Sequence, residues 1–326
     1  MSLPMSHMSA VLVVAVGLAA CAALAAGPAD AKDQGRWYLF TSFCGNGEDG
    51  LHLAFSRDGY TWTPLGDDKP YLAPKVGPKP LMRDPCLARG PDGTFHMVWT
   101  TTWDKPIVVG YASSKDLVRW SEQKGIPVME DEPKARNAWA PELFYDEAKK
   151  QWLLFWSTTV PGKFPETDAS GDGGLNHRIY AKTTQDFEHF SPTRLFYDGG
   201  FNVIDATIMK AEGRYGLIIK DETKTPVKKN LRLATGPTAE GPWSEASAPF
   251  TISWVEGPSA IRIGEWVYVY FDHYAGPHYY GAVRSKDLKT WEDVSKQMSF
   301  PPDHRHGTVL EVPGEIIDGL RARTPG

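Results

Sequence analysis

The sequence predicts an all-β fold, a five-bladed β-propeller, on three observations. A short phrase recurs five times in degraded form, at residues 56–62, 114–120, 184–190, 285–291 and, most worn, 235–243. Its aromatic ends at 62, 120, 190, 243 and 291 lie 48 to 70 residues apart, a spacing that marks a propeller or another repeat array. A run of aromatic and β-branched residues precedes each copy, and no segment keeps the three-to-four-residue apolar period of an amphipathic helix.

Taken in order, the runs at 36–42, 95–100, 152–157, 215–220 and 266–271 are the second strands of the blades. Ahead of each of the last four lies a shorter strand, at 83–87, 141–144, 204–208 and 256–260, expected to line the axis. The first run has no such partner before it. The matching pattern, 305–310, sits at the other end of the chain, so the C-terminus is expected to complete the N-terminal blade. Closing the ring in this way removes open sheet edges. One domain at 32–312 follows, and the tail at 313–326 has little to pack and is expected to fray.

Composition supports a globular all-β chain: 41% hydrophobic, 23% charged, with 12 Trp, 13 Tyr and 14 Phe. A net charge of -5 without a long basic run argues against nucleic acid and for an uncharged partner. Residues 1–31 are set apart from the fold. The apolar run from Ala10 to Ala26 is too short to span and anchor, and Ala29-Asp30-Ala31 fits a small-x-small cleavage site. This reads as an export signal to the periplasm or outside, with no transmembrane span. Leu18-Ala19-Ala20-Cys21 also fits lipoprotein attachment, which would tether the chain by lipid at Cys21. Cys44 and Cys86 remain in the folded part, either paired or as two small buried thiols.

In the blade register the inner strands present Asp84, Glu142, Asp205, Glu256 and His306 at equivalent or adjacent positions, so five ionisable groups converge near one end of the axis. Each has an ordinary reading as well: Asp84-Pro85 as a turn start, Glu256-Gly257-Pro258 as a solvated corner, His306 as a core histidine. Asp205 resists it best, because it interrupts an apolar stretch where an unpartnered carboxylate is costly to bury. Crowded carboxylates push one another's proton affinities apart. Glycoside cleavage needs that, one carboxyl protonating the leaving oxygen while another deprotonates water.

The order Arg83-Asp84-Pro85, Trp139-Ala140-Pro141-Glu142, Ile204-Asp205, Glu256-Gly257-Pro258 and Arg305-His306-Gly307, with its Ser-Lys-Asp-Leu repeats, resembles glycoside hydrolase family 43 over residues 36 to about 311. The resemblance implies an inverting reaction with Asp84 as general base, Glu256 as general acid and Asp205 as the residue that raises and orients that acid. No cofactor is required for the chemistry. For His306 it implies an axial histidine holding a structural calcium ion or a water, and for Trp139 and Glu142 a wall of the site. A whole blade precedes Asp84, a shifted closure that leaves the carboxylate spacing intact. The invertase-like clan also uses Arg-Asp-Pro, but after an Asn-Asp-Pro strand that this chain lacks, which argues against a retaining fructosidase.

Four further positions are expected at the substrate. Arg284 matches an arginine that in relatives approaches the acid or substrate, and is otherwise a surface cation. Lys220 ends a strand at the same rim, contacting sugar hydroxyls or belonging to a solvated charge cluster. Trp103 joins Trp139 and Trp254 as candidates for stacking on sugar rings. The expected activity is removal of terminal sugars from plant-type polysaccharides, foremost as an α-L-arabinofuranosidase. Activities as β-D-galactofuranosidase, β-xylosidase or exo-β-1,3-galactanase share the implied fold. A glycan-binding propeller without catalysis is the rival from another class, and the intact trio of carboxylates favours the enzyme.

Overall fold

A computed structural model describes residues 35–323 apart from Ala169 and Glu212, and the expected leader and Cys21 anchor lie outside these residues. Blade one holds β1 (Trp37–Ser42), β2 (His52–Ser56) and β3 (Thr63–Pro64). Blade two holds β4 (Arg83–Arg89), β5 (Phe95–Thr100), β6 (Val108–Ser114) and β7 (Lys124–Pro127). Blade three is β8 (Trp139–Asp146), β9 (Gln151–Thr159), β10 (His177–Thr184) and β11 (Arg194–Tyr197). Blade four is β12 (Val203–Ala211), β13 (Arg214–Asp221) and β14 (Asn230–Gly236). Blade five is β15 (Val255–Ile263), β16 (Trp266–His273), β17 (Tyr279–Ser285) and β18 (Glu292–Asp293).

Each blade is an antiparallel sheet, and the chain closes as the sequence predicts. The C-terminal β19 (Val309–Val312) pairs with β1 and becomes the inner strand of blade one. The second-strand runs appear bare of polar alternation because both their faces are buried. Along β9, Leu153 and Phe155 pack against blade four while Trp152, Leu154 and Trp156 pack against blade two. The same alternation gives five apolar clusters, one between each pair of neighbouring blades, including blades five and one.

The repeated phrase is a turn between the third and outer strands. Ser114 Oγ accepts the Leu117 N–H at 2.7 Å, and Asp116 Oδ1 accepts the N–H groups of Val118 and Arg119 at 3.0 and 2.8 Å. The Ser285-Asp287 copy repeats these contacts. Blade four carries the worn copy, without that aspartate. Its outer segment still follows β14, Ser247 and Phe250 donating to the carbonyls of Leu233 and Leu231.

The tail departs from expectation. Instead of fraying after Pro313, the chain forms α1 (Gly314–Ala322), which buries Ile316, Ile317 and Leu320 in the cluster between blades one and two. The apolar positions at i, i+1 and i+4 supply a buried stripe. Cys44 and Cys86 are both free thiols, so the pairing left open by the sequence is not made.

Candidate active site

At one level of the ring each inner strand takes in one extra residue. In β4, Arg83 pairs Thr100 and Cys86 pairs Val98, so two residues face one. The same shift falls between Trp139 and Glu142, at Asp205, and between Glu256 and Ser259. On the closing strand Arg305 bridges Phe43 and Val309 pairs Phe40, so residues 306–308 face residues 41 and 42. Such bulges re-aim side chains. The bulged positions are Asp84, Ala140, Asp205 and Gly257, with φ of 52°, 45°, 51° and 59°. His306 takes the corresponding place on the closing strand. For a residue bearing a Cβ this conformation costs about 1–3 kcal/mol and persists where the surroundings over-determine it.

The bulge turns Asp84 and Asp205 inward from different blades. Thr100 donates to Asp84 Oδ2 at 2.7 Å and itself accepts the Ala140 N–H at 2.9 Å. His306 Nδ1 lies 3.2 Å from Asp84 Oδ1. Burial alone would raise Asp84, yet the charge and hydrogen bond of His306, with Arg83 and Thr100, hold it well below the usual carboxylate range. Burial would likewise strip His306 of its proton, but Asp84, helped by Asp205 and Glu256, holds it up at about 9. Asp205 is pushed the opposite way from Asp84, up to about 6, by burial against the pull of His306 and Lys220. Glu142 is pushed up to about 7, again by burial, with Thr207 donating to its Oε2 at 3.0 Å.

Glu256 sits one residue before the bulge of β15. Its Oε2 accepts from Lys220 Nζ at 3.0 Å and its Oε1 from Arg305 Nη2 at 3.3 Å. The Lys220 side chain is only 2% exposed and also pairs with Glu222, so it belongs to the site and not to a solvated cluster. Arg305 is tied in turn to Asp272, Nε to Oδ2 at 3.2 Å. Asp205 reaches the same corner by a different route, its Oδ2 accepting the Gly257 N–H at 3.1 Å. Gly257 is required there: a Cβ would meet His306 Cγ at 2.4 Å, in a backbone region that favours glycine.

Aromatic rings border these groups. Trp139 donates from Nε1 to the Trp103 carbonyl at 3.2 Å, their rings meet edge to face at 5.4 Å, and Trp103 is 45% exposed. Arg83 lies over the Trp103 ring. Across the site Trp254, 37% exposed, meets Tyr274 edge-on, and Lys220 lies over the Tyr274 ring.

The chain matches, over residues 33–318, the family model of a probable glycosyl hydrolase domain related to glycosyl hydrolase family 43. The chain belongs to this family. An α-L-arabinofuranosidase of Bifidobacterium longum subsp. longum is 25% identical over 185 residues, 47% of this chain and 16% of that protein. Among solved structures, an exo-β-1,3-galactanase from Clostridium thermocellum superposes with a TM-score of 0.53 at 15% identity, over 68% of this chain and 50% of that one. The catalytic domain of a family 62 α-L-arabinofuranosidase from Coprinopsis cinerea does so at 0.51 and 15%, over 73% and 76%. These likenesses carry the fold. The chain spans about a sixth of the curated relative and half of the galactanase.

Within this family 43-related propeller, the sequence register brings together Asp84, Glu142, Asp205, Glu256, Lys220 and His306, but not Arg284. Arg284 pairs across β16 with Tyr268, four ladder positions from Asp272, and contacts Glu292, Tyr60 and the Trp266 ring. It joins blades five and one. The arginine that touches the acid corner is Arg305, which sequence reasoning quoted only as a neighbour of His306. Asp272 and Thr100 were also missed, since their parts depend on cross-blade contacts that no local pattern marks. Among the described residues His306 belongs to no cluster of three metal-ligating side chains, and its Nδ1 faces Asp84.

Proposed function

We propose that this protein is an inverting glycoside hydrolase that removes terminal sugars from plant-type polysaccharides, foremost α-L-arabinofuranosyl groups. One observation carries the reading. Asp84 and Asp205 occupy the same bulge position on different blades, yet their surroundings drive their proton affinities in opposite directions. Asp84, kept ionised by His306, accepts the proton of a water attacking the anomeric carbon. Glu256 donates a proton to the departing glycosidic oxygen. Asp205, through the Gly257 N–H, positions the backbone that carries Glu256. The proton transfers need only these side chains.

The name of the Bifidobacterium relative supports arabinofuranose as the first sugar to try. The exposed Trp103 and Trp254 supply faces on which a sugar ring can stack. The apolar run and cleavage pattern within residues 10–31 support an exported enzyme acting outside the cytoplasm.

A panel of nitrophenyl furanosides and pyranosides, followed by NMR, reads both sugar preference and anomeric outcome. The expected product is the inverted anomer, and Asp84→Asn and Glu256→Gln each lower turnover by about 10²–10⁴-fold. Turnover near wild type in either variant overturns the assignment. Tight sugar binding with no hydrolysis across the panel would instead favour a glycan-binding propeller.

A further inference from the structure

A second cluster of chemistry-bearing side chains lies on blade one. Cys44 follows β1, His52 opens β2, Asp68 lies in the loop after β3, and His304 precedes the closing strand. One ligand atom each from Cys44, His52 and His304 falls within 4.8 Å of the others, and both imidazoles are buried. Asp68 Oδ1 touches both rings, at 2.8 Å from His304 Nε2 and 3.4 Å from His52 Nδ1. In a tetrahedral site with metal–nitrogen and metal–oxygen bonds of about 2.0–2.1 Å, ligand atoms sit about 3.3 Å apart. The two Asp68 contacts are close to the edges of such a tetrahedron, and the Cys44 thiol lies within 4.8 Å of a ligand atom of each ring.

The far nitrogen of each ring is also held. His52 Nε2 lies 2.8 Å from Asp49 Oδ2, and His304 Nδ1 lies 2.7 Å from Ser42 Oγ. A histidine that ligates through one nitrogen needs the other fixed in this way, so that tautomer and ring orientation are set before the ion arrives.

We propose that Cys44 Sγ, His52 Nδ1, His304 Nε2 and Asp68 Oδ1 form a closed tetrahedral site for a divalent transition metal, zinc foremost. A thiolate with two imidazoles selects zinc over calcium or magnesium, which take oxygen ligands. On binding, the cysteine gives up its proton to solvent and a metal–sulfur bond forms, while Asp49 and Ser42 accept the remaining imidazole N–H groups. Four protein ligands leave no open position, so the ion is structural. It ties three segments of blade one to the stretch that carries Arg305 and His306 into the active site. The site is independent of the proposed hydrolysis, because metal uptake is read without substrate.

The test uses the full chain, stripped with a chelator and dialysed, then titrated with Zn²⁺ and, separately, Co²⁺. One equivalent of zinc is expected by elemental analysis, together with a rise in melting temperature. Cobalt should show the intense visible bands of tetrahedral geometry and a thiolate charge-transfer band in the near ultraviolet. Cys44→Ser should remove the charge-transfer band, and Asp49→Asn, which leaves all four ligands in place, should weaken zinc binding about 10–100-fold. No stoichiometric uptake of either metal by wild type overturns the site, as does a cobalt spectrum that Cys44→Ser leaves unchanged. Near-ultraviolet circular dichroism of each variant separates a lost ligand from a lost fold.

Discussion

Asp205 shows how a single side chain can work for the site and against the fold. Its folded value of about 6 stands above the ordinary 3.8, with burial as the largest cause. The folded chain therefore takes up a proton between these values. The contribution of Asp205 to stability is present below 3.8 and lost as pH rises through about 6. Asp205→Asn removes that loss while keeping an oxygen to accept the Gly257 N–H. Thermal melts should find the variant gaining on wild type from pH 4 to 6 and holding the gain above. Turnover should fall in the same protein, since the acid corner loses a charge. A difference between the two proteins that does not change with pH would show that burial does not set this proton affinity.

At the scale of elements, the repeated turn and the bulge divide the labour. The turn that ends the third strand of a blade is structural throughout. Ser285 is fully buried, its Oγ accepts the Leu288 N–H at 2.9 Å, and Leu288 sits at a φ of 58°. Ser285→Ala leaves that partly buried N–H without its side-chain partner and should cost about 0.5–1.5 kcal/mol. Denaturant melts and steady-state kinetics on the same samples check this, with a lowered midpoint and an unchanged kcat expected. A fall in kcat at unchanged midpoint would mean that the turn reaches the chemistry. Counting back from this turn made the inner strands legible in the sequence, because every blade repeats one hydrogen-bond ladder. The bulge itself was not legible: Asp84-Pro85, Ala140-Pro141, Asp205-Ala206 and Gly257-Pro258 share no residue type that announces a left-handed backbone. The helix α1 escaped notice for a related reason, since its buried Ile316, Ile317 and Leu320 cover a groove that exists only once blades one and two have met.

The whole molecule is held by contacts between blades, and the pairings that the sequence concealed are those that cross them. Asp84 reaches His306 from blade two to blade one, and Arg305 reaches Glu256 from blade one to blade five. Cys44, His52 and His304 are brought together only by ring closure. No local pattern shows such pairs, because the register fixes a position within its blade and says nothing about the neighbour's side chain. Arg284 illustrates the opposite error, a residue whose motif suggested the substrate while its ladder position set it elsewhere. Its Nη1 donates to Tyr60 of blade one at 2.8 Å, its Nε to Glu292 at 2.9 Å, and its guanidinium covers Trp266. It fastens the seam where the ring closes. Arg284→Ala should therefore lower stability by about 1–2 kcal/mol through lost stacking and hydrogen bonds, while KM and kcat for the best substrate of the panel stay at wild-type values. A raised KM at an unchanged melting temperature would return Arg284 to the substrate. The expected pattern instead makes closure a property of the seam between blades five and one, separable from the carboxylates that the closed ring encircles.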